Sequence, residues 1–366
     1  MGRPDVIIAG AGPVGLLLGC LLGARGAHVV ICERRTGTDD RTRAIGVHPP
    51  GLDALDAAGV GTALRAEAVA LDRGEVHARG RMLASIAFPA ERTVRILPQR
   101  RTVALLRERL HALGVEVRMG CEVTQVSQDS TGVSVGLRGA AGETSEHASL
   151  LIAADGVHSG LRAALGIRWL RRGSTARYSM VDAADADDSA IARLYCEPGG
   201  LVESFPLPGG RRRWVVRHPP GVPALSGEDF ARAVHTRTGI AITPVAPSAF
   251  TAAQHRAART VAGRIVLLGD AAHEISPIGG QGMNLGWVDA RVLADALGQS
   301  GPGGLAAYER RAARAAADVQ RRATFYMSMG APARGIRQHA REGAIRLMGT
   351  APLRNAAAAL VTMRGI

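Results

Sequence analysis

The chain contains no lysine; all 45 positions counted as Lys+Arg are arginine. That absence excludes Schiff-base chemistry and the lysine of a phosphate-binding P-loop. Arginine gives a formal net charge of +13, yet aromatics are only 3 % of residues. No arginine cluster is interleaved with aromatics as a single-strand binder needs, so no nucleic-acid partner is expected. Cysteine is sparse too. Cys20, Cys32, Cys121 and Cys196 form no CxxC pair, which leaves no basis for a zinc site or a disulfide framework. No metal is expected, and a reducing, cytoplasmic setting fits best. Long apolar runs are also missing. Residues 14–22 are apolar but broken by glycine, far short of the ~20 residues a membrane span takes. A strand begins almost at once, and no cleavable leader is expected.

What the sequence does have is glycine placed after short apolar runs. Asp5 to Ala9 reads as a buried strand, followed by Gly10, Ala11, Gly12, Pro13, Val14 and Gly15, an apolar helix, and a second strand ending at Glu33. This βαβ context gives the GxGxxG pattern its meaning. Gly10 allows a tight turn, Gly12 lets backbone approach a pyrophosphate, Gly15 lets helix pack on sheet, and Glu33 can accept from both ribose hydroxyls. Arg34 follows directly, and Arg41 and Arg43 sit in the polar loop beyond, with Arg43 the better candidate for a cofactor contact.

A second such place spans residues 264–284, R-I-V-L-L-G-D-A-A-H-E-I-S-P-I-G-G-Q-G-M-N. Ile265 to Leu268 reads as a buried strand that delivers Gly269 and Asp270 at its carboxyl end, where open α/β sheets bind ligands. After Pro277, the glycines at 279, 280 and 282 lead into a run with helical periodicity. A glycine turn opening a helix aims free N–H groups at negative charge. The stretch reads as one wall of a pocket for a flat, anionic cofactor. A third strand, S-L-L-I-A-A, delivers Asp155 and Gly156.

The intervening segments read as a different sheet. Residues 67–98 show short runs and turns. Gln99 opens an amphipathic helix, and the segments 115–120, 122–129 and 132–138 look like a three-stranded meander. Residues 175–216 hold alternating strands with a hairpin turn at Pro208-Gly209-Gly210. The expected architecture is α/β: a discontinuous, Rossmann-like, three-layer nucleotide domain (1–75, 99–172, 255–329), an inserted mixed β-sheet substrate domain (76–98, 173–254) and a C-terminal helical tail (330–366). The tail, rich in arginine, is expected to pack on the nucleotide domain.

Three motifs in this order resemble the FAD-dependent aromatic hydroxylases of the para-hydroxybenzoate hydroxylase type. They are Gly10 to Gly15 with Glu33, Asp155-Gly156-Val157-His158-Ser159-Gly160-Leu161-Arg162 (the family's D-G-x-x-S-x-x-R), and Gly269-Asp270-Ala271-Ala272-His273 with Pro277. The G-G-Q-G-M-N continuation is most similar to the branch with ubiquinone-pathway hydroxylases and tailoring oxygenases of secondary metabolism. This chain is shorter than many relatives, and the thioredoxin-like domain that some carry is not expected.

The resemblance implies an FAD-dependent monooxygenase that uses NADPH or NADH and O2 to hydroxylate an aromatic or polyketide-like small molecule through a flavin C4a-hydroperoxide. A related oxidative tailoring activity such as epoxidation, or a flavin-binding protein without turnover, is the alternative; the absent lysine argues against flavin halogenation. Implied cofactor positions are Gly10, Gly12, Pro13, Val14, Gly15, Glu33, Arg34, Arg43, Gln99, Asp155, Gly156, Arg162, Gly269, Asp270, Gly282, Met283 and Asn284, with Arg162 either structural or assisting the nicotinamide. Implied catalytic positions are Pro277, Gly280 and Gln281 at the flavin's reacting edge. His273 is implied as loop scaffold rather than base. Tyr195, Glu203, Phe205, Trp214 and Arg217 lie on strands that roof the family's active site. Strand alternation places Glu203 with Phe205, and Arg213 with Arg217. His218, beside Pro219, reads as a surface residue. The expected partner is the substrate alone, with no stable membrane insertion, in a monomer or homodimer.

Overall fold

The computed structural model describes residues 3–37, 44–185, 187–219, 221–222 and 224–366. Arg41 and Arg43 lie outside these residues. The first layer follows from the uniformly apolar strands. Val6–Ala9, Leu150–Ala153 and Ile265–Leu267 are buried at every position, as a sheet covered on both faces requires. The strands run in the order Val261–Ala262, Ile265–Leu267, Leu150–Ala153, Val6–Ala9, Val29–Glu33, Glu116–Met119. All neighbours pair in parallel except the first two.

Helices Pro13–Gly23, Gln99–Ala112 and Gln281–Ser300 cover one face of this sheet. A three-stranded antiparallel meander covers the other, burying Val133, Val135 and Leu137 against Ile7, Val30 and Leu151. The meander differs from the sequence expectation. Residues 116–119 leave it to pair in parallel with Val29–Glu33, and its third strand is Gly142–Ala148. That strand is mostly exposed and polar (G-E-T-S-E-H-A), so it carries no apolar alternation to reveal it.

The second sheet has seven strands in the order Ser248–Ala252, Ala176–Ala184, Arg211–Arg217, Gly200–Leu207, Ile191–Glu197, Arg73–Ala78, Arg81–Ala87. It is mixed because Arg73–Ala78 pairs in parallel with Ile191–Glu197 while the other neighbours are antiparallel. Its first strand starts at Arg73, ahead of the expected boundary after residue 75. Helix Gly227–Thr238 covers one face through Phe230 and Val234.

The C-terminal helices Gly335–Met348 and Leu353–Val361 depart from expectation. They pack on the outer strand of the seven-stranded sheet, Arg81–Ala87, rather than mainly on the nucleotide domain. Arg341 explains the attachment: its guanidinium donates to the carbonyls of Cys196 (2.9 Å), Glu197 (3.1 Å) and Met329 (2.9 Å). Arg341 is thus a scaffold residue, while Arg334, Arg337, Arg346, Arg354 and Arg364 of the same tail are exposed. Among the described residues no helix is long and apolar enough to cross a membrane.

One buried pair ties the glycine-rich wall to the core. His273 Nε2 meets Asp289 Oδ2 at 2.5 Å, and both side chains are buried. Burial opposes the imidazolium, but the Asp289 carboxylate outweighs it and raises His273 above the ordinary histidine range. Asp289→Ala leaves His273 buried without its partner and is expected to cost ~3–5 kcal/mol, read as a lower thermal midpoint. Asp289→Asn, which keeps a hydrogen-bond acceptor, is expected to lose clearly less.

Candidate functional site

The carboxyl ends of four parallel strands converge on one cavity of about 1940 Å³. The first strand delivers Gly10 with φ +113°, a conformation L side chains rarely adopt. Gly12 caps helix Pro13–Gly23 with no side-chain hydrogen bond, and a Cβ there would meet nothing within 4 Å. Backbone amides at this helix start therefore face open space, which is the arrangement that holds a phosphate.

Glu33 ends the second strand, buried. Its carboxylate accepts from Ala11 N (2.9 Å), Arg35 N (3.0 Å) and Arg35 Nε (3.0 Å). Burial pushes the carboxyl upward, but those donors outweigh it and hold it below the usual carboxylate range. It is an ionised acceptor beside the phosphate-type turn. Asp155, at the end of the third strand, accepts from Leu161 N (3.3 Å) through Oδ2, while its Oδ1 is buried with no partner. An orphaned buried carboxylate oxygen beside the cavity is a place for a ligand donor.

Asp270, exposed to the cavity, stands after Ile265–Leu267. Pro277, Gly279, Gly280, Gly282 and Met283 continue the wall, and Arg34, Gln99 and Gly156 line it as well. Gly280 has φ +66°, and a Cβ on it would lie 3.4 Å from His48 Nε2. The cavity thus contains what a long anionic cofactor needs: a helix start for phosphates, acids for hydroxyls, and a glycine turn that a flat ring can approach.

Several expected site residues turn away from it. Gln281 is fully buried, and its Nε2 reaches Leu360 O (3.4 Å). Asn284 braces the loop at residues 46–48, accepting from His48 N (2.8 Å) and donating to Gly46 O (2.9 Å) and Gly280 O (2.8 Å). Arg162 stacks 3.7 Å over Trp169 and donates to Ala271 O (3.0 Å) and Val157 O (2.9 Å), so its charge holds loops together. Gly15 and Gly269 serve close packing: a Cβ would meet Gly10 O at 2.1 Å in the first case and Val14 at 3.2 Å in the second.

On the seven-stranded sheet, alternation divides the candidates. Glu203 and Phe205 face the cavity with Arg213, Val215, Leu194 and Met180. Tyr195 and Trp214 point to the opposite face and pack under helix Gly227–Thr238. Arg217 shares Arg213's face but donates to Met327 O and lies 5.8 Å from the Tyr178 ring, so it is scaffold. His218 is buried rather than exposed, its Nε2 2.8 Å from Ser179 Oγ, and it does not reach the cavity.

The sequence reading missed two parts of the wall. His48 is buried beside the glycine turn and depressed to about 4 by burial, so it is neutral. The C-terminal helices add Ile345, Met348, Leu360 and Val361. Neither carries a motif; both arrive through tertiary contact.

Comparison with known proteins agrees with this geometry. Residues 3–323 match the model of a family described as an FAD binding domain. A 12-dehydrotetracycline 5-monooxygenase/anhydrotetracycline 6-monooxygenase of Streptomyces rimosus is 33% identical over 81% of this chain and 63% of its own length. A 3-(3-hydroxy-phenyl)propionate/3-hydroxycinnamic acid hydroxylase of Burkholderia vietnamiensis is 33% identical over 88% of this chain and 63% of its own. This chain thus spans less than two thirds of the length of these curated relatives. Among solved structures, the OxyS anhydrotetracycline hydroxylase from Streptomyces rimosus superposes with a TM-score of 0.82 at 29% identity, covering 100% of this chain and 77% of that one. On fold, cavity and family match together, the chain belongs to the family described as an FAD binding domain.

Proposed function

We propose that this protein is an FAD-dependent monooxygenase that uses NADPH or NADH and O2 to hydroxylate an aromatic or polyketide-like small molecule. The observation that carries the reading is the continuity of the cavity. The residues that fit FAD and the apolar floor of the seven-stranded sheet line the same space. FAD bound there supplies hydride acceptance from the nicotinamide and activation of oxygen, which no side chain provides.

The chain's own residues would bind and position it. Amides at the start of helix Pro13–Gly23 would take the pyrophosphate, Glu33 the ribose hydroxyls, and Asp270 the ribityl or pyrophosphate region. The start of helix Gln281–Ser300 would put its dipole near the ring, where it favours negative charge. Pro277 and Gly280 would border the ring's reacting edge. Leu194, Val215, Ile345 and Met348 make the substrate end apolar, which keeps water away from oxygen transfer. At 366 residues with a cavity of about 1940 Å³, the chain has room for cofactor and a multi-ring substrate together.

Two measurements test this. Glu33→Gln removes a charged acceptor worth about 1.5–3 kcal/mol, so FAD affinity is expected to fall by about 10–100-fold in a flavin-fluorescence titration. Turnover with NAD(P)H under ¹⁸O2 and a panel of polycyclic phenols is expected to give a product carrying one labelled oxygen. Nicotinamide oxidation that yields hydrogen peroxide across the whole panel, with no labelled product, would count against hydroxylation of phenols.

A further inference from the structure

We propose that Glu203 anchors the substrate by donating a hydrogen bond from its carboxyl to a carbonyl oxygen, so that the molecule oxidised in this cavity carries a ketone or quinone group. The proposal rests on the monooxygenase reading above and adds to it a specificity-determining residue and a substrate class. Glu203 lies mid-strand in Gly200–Leu207, 4% exposed, and lines the cavity. Its partners across the sheet are Leu194 and Val215, both apolar and facing the same space. Ile345 and Met348 line that space from helix Gly335–Met348. Among the described residues no hydrogen bond or ion pair reaches the Glu203 carboxyl.

The charged groups around it are bonded elsewhere, so none holds it as a carboxylate. Arg213 holds Asp182 through Nε (2.6 Å) and Nη2 (2.8 Å), Arg211 donates to Asp182 O, and Arg217 donates to Met327 O. Arg341 is bonded to the Cys196 and Glu197 carbonyls, Glu197 accepts from Arg79 N (2.8 Å), and Glu342 accepts from Gln338. The other titratable groups around this end are neutral at ordinary pH. Burial raises the Cys196 thiol to about 11, pushes the Tyr178 and Tyr326 hydroxyls up, and depresses His48 to about 4.

Burial moves Glu203 up to about 8, so the carboxyl keeps its proton through neutral pH. It is then an O–H donor set in an apolar wall. Left without an acceptor, it costs stability that a leucine at this position would not. Tyr326 adds a second such donor: it lines the same cavity, and its buried hydroxyl has no partner. A ligand completes these donors with oxygen acceptors, and a ketone or quinone brings them without charge. A carboxylate or phosphate headgroup would need a counter-charge, and the arginines of this sheet face are already bonded. A plain hydrocarbon edge would fit the apolar walls but leave the O–H unsatisfied. The wall therefore selects a neutral carbonyl.

The test uses oxidised, FAD-loaded protein without nicotinamide, so nothing turns over. Calorimetry compares two ligands of one skeleton: 1-tetralone, which has a carbonyl, and tetralin, which lacks it. Neither ligand titrates, so any pH dependence belongs to the protein, and the ratio of their affinities cancels what both owe to apolar burial. At pH 6 the ratio is expected to favour tetralone about 3–10-fold more in the wild type than in Glu203→Leu. Glu203→Gln, which keeps a donor, is expected to stay near wild type. The carbonyl of bound tetralone is expected to absorb at lower wavenumber in the wild type than in Glu203→Leu. As pH rises through about 8 the wild-type ratio is expected to fall toward that of Glu203→Leu, while the Glu203→Gln ratio stays flat. Equal ratios in wild type and Glu203→Leu would overturn the role of Glu203, and a wild type that binds neither ligand would overturn the substrate class. Neither result bears on the monooxygenase reading, which the ¹⁸O2 turnover decides. FAD content and far-ultraviolet circular dichroism report whether each variant is folded.

Stability gives a second readout that needs no ligand. Glu203 in the folded state keeps, up to about pH 8, a proton that the unfolded chain releases near the ordinary glutamate value. Its contribution to stability therefore falls as pH rises from about 4.5 to 8. Glu203→Gln is expected to melt higher than wild type at pH 8, on the order of 5 °C, with the gap closing at pH 5. A gap independent of pH would overturn the claim that this carboxyl stands neutral and unpaired, and with it the donor.

Discussion

A Cβ on Gly10 would lie 2.3 Å from the carbonyl oxygen of Ala154, and one on Gly286 would lie 2.6 Å from Val14. No side chain can occupy either position, and the site depends on both. The first contact brings the end of the first strand against the end of its parallel neighbour, so the amides after Gly10 and the carboxylate of Asp155 face one space. The second lets helix Gln281–Ser300 lie directly on helix Pro13–Gly23, where Trp287 donates to Pro13 O at 3.0 Å. The glycine turn preceding the longer helix is thereby held over the phosphate-type turn preceding the shorter one. Close packing of this kind is possible only because the sheet beneath is apolar on both faces.

The polar braces have the same effect at longer range. His273 and Asp289 join a loop to a helix inside the core, Asn284 joins that helix to the loop at residues 46–48, and Arg162 joins the segment after Asp155 to the segment after Asp270. Each takes a residue that chemistry alone would nominate for catalysis and uses it to fix the position of backbone. Among the groups that do face the cavity are an ionised Glu33, Asp155, Asp270, Arg34, Gln99, Arg213, a neutral His48 and Glu203. Opposite electrostatics at the two ends follow. Glu33 is held ionised by backbone donors, whereas Glu203 has none and retains its proton to higher pH.

Much of this could be read from residue order. Short, uniformly buried strands, glycines at positions 10, 12 and 15, and an acid at or just after the end of three parallel strands (Glu33, Asp155 and Asp270) determine the nucleotide-type half, because such features act locally: a turn needs its glycine and a doubly covered strand needs its apolar run. Period-two alternation likewise placed Glu203 and Phe205 on one face and Arg213 on its partner strand. What alternation left open was which face met the cavity. Tyr195 and Trp214 were lost as candidates because helix Gly227–Thr238 covers their side, a fact of long-range packing.

Only the tertiary structure decided the rest. Gln281, Asn284, Arg162 and Arg217 carry ordinary site-type functional groups, and nothing local distinguishes a side chain that meets a ligand from one that meets a carbonyl on a distant segment. The meander's third strand is too polar to announce itself, and the strand at residues 116–119 joins the parallel sheet through pairing with residues more than eighty positions away. The C-terminal helices close the substrate end because Arg341 finds carbonyls on a strand about 145 residues earlier. The sequence determined the turns, the strands and the acids. The cavity's far wall, and the isolation of Glu203 within it, came from contacts between segments that no local pattern links.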